Sequence, residues 1–218
     1  MADITIYIGN QNYSSWSLRA WLMLKQTGAG FESVVIPLYA PGSKEKILDH
    51  SPSGKVPALR HGDVTVWDSL AVGEYLAEAF PQARLWPTAP AARACARSVS
   101  AEMHAGFANL RRHLPMNLRR KPAPRSLTPE VEADITRIAA LWRECRRRFG
   151  GGEPFLFGGF GIADAMYAPV VLRFNTYGAR ISETARWYMA AALEDATLQS
   201  WLAAAKAEPW TLEASEIG

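Results

Sequence analysis

Ile4, Ile6 and Ile8 recur with a period of two, so residues 4–8 carry one apolar face and predict a buried strand. Residues 9–16, Gly-Asn-Gln-Asn-Tyr-Ser-Ser-Trp, are mostly polar turn formers. Beyond them Leu18, Trp21, Leu22 and Leu24 supply a helical stripe that stops at Gly28. Val34, Val35 and Ile36 predict a second strand, followed by Pro37, a Pro41-Gly42 turn and a short polar helix near residues 44–48. Two more strand signals, at 57–60 and 64–67, flank the hairpin turn His61-Gly62-Asp63. Val72, Tyr75, Leu76, Ala79 and Phe80 then repeat at helical spacing on one face. The order β-α-β-α-β-β-α makes the first two strands parallel through a helical crossover and adds an antiparallel hairpin, which predicts a small mixed sheet with helices on it.

Residues 81–92 hold three prolines and no period, and read as a linker. Strand signals end there. Val99, Met103, Phe107, Leu110 and Leu114 form one helical stripe. Val131, Ile135, Ile138, Trp142, Cys145 and Phe149 form another, opened by Thr128 before Pro129. Further helices are expected over 162–177, 184–193 and 198–207, the first kinked by Pro169. The expected architecture is an α/β domain over residues 1–80, a linker over 81–92 and an all-α domain over 93–218.

Composition narrows the function classes. At 218 residues and 49% hydrophobic, the chain has enough apolar material for a folded core, which excludes disorder. The 24 Lys and Arg against 21 Asp and Glu leave a net charge of +3, too mild a surplus to call for nucleic acid or an anionic membrane. The one dense basic stretch, residues 111–125, lacks interleaved aromatics; it reads as a solvated helix end, or as an attractor for an acidic small molecule. Cys95 and Cys145 are too few and too far apart for a disulfide framework, a Cys-x-x-Cys pair or a zinc pattern, so no metal is expected. The first residues show no basic region leading into an apolar one, and no apolar stretch approaches the roughly 18 residues of a membrane span, which predicts a soluble, cytoplasmic protein. Eight tryptophans are a local excess; Trp21, Trp142 and Trp201 sit on helical stripes, whereas Trp16 falls in the first loop.

That loop carries the candidate chemistry. Asn12-Tyr13-Ser14-Ser15-Trp16-Ser17-Leu18-Arg19 places hydroxyls where the first helix opens. Free amides and the helix dipole favour an anion there by about 0.3–1 kcal/mol. A serine at that spot can donate to a bound thiolate, and it equally suits a plain helix cap. No Gly-x-Ser-x-Gly elbow surrounds it, which argues against a serine hydrolase. In Ser53-Gly54-Lys55-Val56-Pro57, a proline opening a strand is a candidate cis peptide that would free the Val56 N–H and C=O to pair with a peptide-like ligand. Asp68-Ser69 opens the next helix: Asp68 suits an ammonium and Ser69 a carboxylate, or the pair is an ordinary cap and Lys55 a solvated loop charge.

In this order and spacing, the first strand with its Ser-Ser loop, Gly54-Lys55-Val56-Pro57-Ala58-Leu59 and Asp68-Ser69 resemble the glutathione-binding domain of the glutathione transferases, in particular serine-using zeta- and theta-like bacterial members. Residues 155–165 and the helical stripes are similar to that family's second domain, so the resemblance spans essentially the whole chain. It implies a thioredoxin-like βαβαββα domain followed by an all-α helical bundle, and a homodimer that conjugates glutathione, as co-substrate, to a small electrophile. Ser15, four residues before Arg19, maps onto the activating hydroxyl, with Ser14 the close alternative. Val56, next to Pro57, would pair with the cysteinyl unit of glutathione, Asp68 and Ser69 would hold its γ-glutamyl end, and Lys55 would reach a carboxylate. Tyr13 and Trp16 would face Met103, His104, Phe107 and Arg111 across an electrophile pocket, although Met103 and Phe107 also fit the core stripe.

The chain departs from the family in three places. No cysteine lies in residues 9–17, which disfavours the cysteine-using branches. The maleylacetoacetate isomerase branch shares paired serines but usually adds a Cys and a second Arg that this loop lacks. Gly161 stands where the family commonly has Ser or Thr, leaving Asp164 to reach back and cap the core helix. Isomerisation or peroxide reduction on the same site, and a catalytically weak binding module, are the alternatives.

Overall fold

Strand β1 (Ile4–Ile8) is buried along its whole length, because it lies between two neighbours and under helices. β2 (Glu32–Val35) pairs parallel to it, while β3 (Ala58–His61) runs antiparallel on its other side and β4 (Val64–Trp67) closes the edge, giving the order β2-β1-β3-β4. This is the mixed sheet expected, with helices α1 (Ser15–Gln26), α2 (Ser43–Leu48) and α3 (Ser69–Ala79) joining its strands. The computed structural model describes residues 3–216, so the outermost two residues at each end of the expected domains lie outside the described residues.

The second half is helical: α4 (Pro90–Ala105), α5 (Ala108–His113), α6 (Pro129–Phe149), α7 (Ile162–Tyr177), α8 (Glu183–Glu194) and α9 (Ala196–Ala207). α7 is buried on nearly every side, the signature of a helix at the centre of a core, and it runs through Pro169 without interruption. α1 packs against both α3 and α7, so Leu18, Leu22 and Leu76 of the first domain share one apolar core with Trp142, Tyr167 and Trp201 of the second.

Two sequence-based expectations are corrected. The single stripe from Val99 to Leu114 is two helices, broken where Gly106 is extended and Phe107 adopts a left-handed φ of 58°. Glycine is a poor helix former, and the break still lets Met103, Leu110 and Leu114 reach the core. The linker is also shorter than its composition suggests. Pro81–Ala83 is a 3₁₀ turn and α4 starts at Pro90, since proline is suited to a first helical turn. Trp86 pins the connection: it is buried, and its indole N–H donates to Glu74 at 3.0 Å.

Asp164 fills the capping role assigned to it. Its carboxylate accepts from the Gly161 N–H at 3.0 Å and the Leu156 N–H at 3.1 Å, and burial pushes its pKa up to about 6. We expect Asp164→Ala to lose about 1–3 kcal/mol in urea unfolding, because two buried amides lose their acceptor. The folded value lies above the ordinary 3.8, so the native state binds this proton more tightly than the unfolded chain. This group's contribution to stability therefore falls as pH rises from about 4 to about 6, and Asp164→Asn should flatten that part of the stability–pH curve.

Candidate active site

The loop between β1 and α1 is held from several directions. Ser14 is the N-cap: its Oγ accepts from the Ser17 N–H at 3.3 Å and donates to Ser17 Oγ at 2.8 Å, while Ser17 Oγ also accepts from the Gly9 N–H at 2.9 Å. The helical domain supplies the remaining anchors. The Glu208 carboxylate accepts from the Gln11 N–H at 2.7 Å and the Asn12 N–H at 3.1 Å. Asn12 Oδ1 in turn accepts from the Leu118 and Arg119 amides at 2.8 and 2.9 Å. Tyr13, expected at the electrophile pocket, is buried and spends its hydroxyl on the C-terminal tail, donating to Glu216 and accepting from Arg119.

Beside this loop lies a cleft of about 500 Å³, lined by Ser14, Trp16, Tyr39, Lys44, Lys55 and Val56 among others. Val56–Pro57 is cis, as the sequence suggested. The β3–β4 register sets Ala58 opposite Trp67, so Pro57, just before β3, and Asp68, just after β4, belong to the same end of the sheet. Asp68 takes a φ of +76°, unusual for a residue with a side chain, and caps α3 by accepting from the Leu70 and Ala71 amides at 2.8 and 3.2 Å. Its second oxygen lies 3.2 Å from His104 Nε2 of α4. Ser69 is wholly buried and its hydroxyl has no partner in the protein, a costly state for a polar group unless a ligand supplies one.

Ser15 points elsewhere than Ser14. Its Oγ accepts from Arg173 Nη2 at 3.3 Å, and Arg173 also donates to the Leu114 and Pro169 carbonyls. The Trp16 indole stands edge-on to His104, with the guanidinium of Arg19 4.5 Å and that of Arg111 5.4 Å from its ring centre. Burial, with Arg173 and Arg111 nearby, lowers Arg19 to about 9; burial, then Arg111, lowers Arg173 to about 10. Met103 and Phe107 are core residues here, the other fate their spacing allowed.

The structure thus brings Ser14, Trp16, Lys55 and Val56 to one cleft and sets Asp68 and Ser69 at the adjoining sheet end. Sequence reading missed Arg173, Glu208 and Asn117, whose Oδ1 accepts from Asn12 Nδ2 at 3.1 Å. Only Arg173 left a signal, as the charged residue inside the apolar run Val170-Val171-Leu172-Arg173-Phe174. Among the described residues no group of His, Cys, Asp and Glu is placed to hold a metal ion, and no helix is long and apolar enough to cross a membrane.

Comparison with known proteins gives a consistent result. Residues 13–79 match the model of the glutathione S-transferase N-terminal domain, and residues 128–204 match that of the C-terminal domain. The chain is 32% identical over 155 residues to the glutathione S-transferase GstB of Escherichia coli strain K12, covering 65% of this chain and 70% of GstB. It is 32% identical over 172 residues to a probable maleylacetoacetate isomerase of Caenorhabditis elegans, covering 77% of each. Among solved structures, a glutathione transferase homolog from Burkholderia GL BGR1 with bound glutathione superposes with a TM-score of 0.71 at 22% identity, covering 94% of this chain and 98% of that one. A theta class glutathione S-transferase from Xanthomonas axonopodis pv. citri with glutathione bound gives 0.61 at 24% identity, covering 96% and 95%.

The Glu208 clamp predicts its own test. Glu208→Ala leaves the Gln11 and Asn12 amides without their acceptor, so their hydrogen exchange should accelerate at least about tenfold and stability should fall by about 1–3 kcal/mol.

Proposed function

The chain belongs to the glutathione S-transferase family, and on that premise we propose that it activates the thiol of glutathione with a serine hydroxyl and conjugates it to a small electrophile. The observation that carries this reading is one cleft lined by Ser14, the residue before the proposed activator, and by Val56 at the cis proline, with an unpartnered buried hydroxyl, Ser69, at the adjoining helix start. In this reading the Val56 backbone pairs with the cysteinyl unit, Ser69 donates to the γ-glutamyl carboxylate, Asp68 accepts from its ammonium and Lys55 meets a further carboxylate. The sulfur then lies at the start of α1.

Ser15 is the proposed activator. The Ser14 proton is committed to Ser17, whereas Ser15 accepts from Arg173 and keeps its own proton to donate. A hydroxyl already accepting from a guanidinium is polarised, which makes it a stronger donor to a thiolate. A free thiol has a pKa of about 8.5, and each unit of depression corresponds to about 1.4 kcal/mol, so one charge-assisted bond plus the helix dipole supplies one or two units. The homodimer, the small-molecule electrophile and the cytoplasmic location belong to the same proposal. Glutathione-dependent isomerisation on this site is the second reading, favoured by the similarity to a probable maleylacetoacetate isomerase.

The test is the ultraviolet absorbance of bound glutathione thiolate against pH. Ser15→Ala should raise the thiol pKa by about one unit or more and Ser14→Ala by less; no rise in either variant would exclude the serine mechanism. Glutathione at about 100 times its dissociation constant should stabilise the protein by about 2.7 kcal/mol, and a melting temperature that stays flat at millimolar glutathione would remove the binding reading itself.

A further inference from the structure

The chain has two cysteines, Cys95 on α4 and Cys145 on α6, far apart in sequence and both free thiols. Contacts near the other end of the same helix pair set its register. The Leu110 N–H, just beyond α4, donates to Asp134 of α6 at 2.9 Å, and Arg137 of α6 forms a two-pronged ion pair with Glu102 of α4 at 2.7 and 2.9 Å. Falling numbers on one side thus meet rising numbers on the other, so α4 and α6 run antiparallel. From Glu102 back to Cys95 is about 10 Å along α4, and from Arg137 on to Cys145 is about 12 Å along α6, at about 1.5 Å per residue. In an antiparallel pair those two steps point the same way and bring the cysteines to one level. Helical spacing also keeps Cys95 on the face of Glu102, and sets Cys145 on the row that runs from Arg137 through Leu141. The two thiols meet there as hydrogen-bond partners.

Their surroundings differ. Cys145 is 2% exposed, and burial, followed by the adjacent Cys95, pushes its thiol up to about 12. It therefore stays protonated and unreactive toward solutes at neutral pH. Cys95 is half-buried, so a small solute reaches that sulfur first. Around it α4 is built of Ala91, Ala92, Ala94 and Ala96, whose short side chains let two helix axes approach closely. A disulfide needs Cα atoms about 4–7 Å apart, a spacing that closely packed helices reach.

We propose that Cys95 and Cys145 form a peroxide-responsive thiol pair that closes to a disulfide linking α4 to α6. The reaction balances in two steps. The Cys95 thiolate attacks one oxygen of hydrogen peroxide and the O–O bond breaks; the departing hydroxide takes up the proton that Cys95 gave up and leaves as water, and Cys95 becomes a sulfenic acid. The Cys145 sulfur then attacks the Cys95 sulfur, the S–O bond breaks, and the Cys145 proton leaves with that hydroxyl as a second water. Two thiols are oxidised by two electrons in all, and one peroxide is reduced to two waters. The contact between the thiols favours the second step over further oxidation of Cys95, because the resolving sulfur is already in place. A dithiol reductant reverses the bond by thiol–disulfide exchange. α4 also carries contacts to the first domain, Arg97 with Glu74 at 3.0 Å and His104 with Asp68 at 3.2 Å, so the bond fastens α6 to the helix that holds that domain. The proposal is independent of the glutathione reading.

The experiment exposes the reduced full-length protein to stoichiometric hydrogen peroxide and follows thiols, mass and melting. Both thiols should disappear from a titration in denaturant, the intact mass should fall by two hydrogens, and a non-reducing digest should join the Cys95 peptide to the Cys145 peptide within one chain. The melting temperature of the linked protein should rise by about 5–10 °C and return with dithiothreitol. Cys145→Ala should halt the reaction at a sulfenic acid on Cys95 that dimedone traps, whereas Cys95→Ala should leave Cys145 unoxidised. If either variant fails to fold, the native digest alone decides the matter. Oxygen added to Cys95 with no peptide linkage, or a disulfide formed only between chains, overturns the proposal. So does a linked protein whose melting temperature stays level or falls, since the bond would then have formed at the expense of the native helix pair.

Discussion

Everything at the site depends on the burial of helix α1 between the two domains. Its sequence neighbours are strands of the sheet, but its apolar face is shared by α3 and by α7 of the helical domain. The first turn of α1 carries both Ser14 and Ser15, so the packing that stabilises the fold also fixes which way each hydroxyl points. Ser14 faces the cleft on the sheet side, and Ser15 faces Arg173, which lies 158 residues away in sequence. Neither half alone would hold that geometry, because the first contributes the hydroxyls and the second contributes the cation and the clamps.

The clamps follow a simple electrostatic logic. A loop preceding a helix exposes amides that need acceptors, and here Glu208 and Asn12 satisfy them or tie the loop to residues 117–119. Arg119 closes the arrangement by donating to the Glu208 and Trp210 carbonyls and to Tyr13. The tail that follows α9 is thereby fastened to the first loop, and Trp210 rests with Leu38 and Tyr39 beside the cleft. Just after β4, Asp68 holds a left-handed φ whose cost, about 1–3 kcal/mol, is offset by two amides and His104.

Much of this was legible from residue order. The period-two run at Ile4–Ile8, the hairpin turn at Gly62 and the helical stripe through Leu76 specify the sheet and its helices, because local periodicity reports which face is buried. The cleft residues Lys55 and Val56, the neighbouring Pro57 and the helix-start pair Asp68-Ser69 were visible as turn and cap chemistry. The break at Gly106-Phe107 and the early start of α4 were not, since a stripe of apolar residues reads the same across two helices that both face the core. Tyr13 was misplaced for a related reason: a tyrosine in a loop has no period, and its direction is set by Arg119 and Glu216, far away in the chain.

The sequence by itself determined the α/β-plus-helical architecture, the family and some of the residues that line the cleft, Ser14, Trp16, Lys55 and Val56, because those features follow from local pattern and from motifs in fixed order. Only the tertiary structure decided that Ser14 bonds Ser17 while Ser15 meets Arg173, and that Arg19 and Arg111 both lie against the Trp16 indole. Arg19 and Arg111 carry no local signature of that meeting, and Arg173 shows only as a charge inside an apolar run. They come near one another only when α1, α5 and α7 pack together, where burial and mutual repulsion lower Arg19 and Arg173.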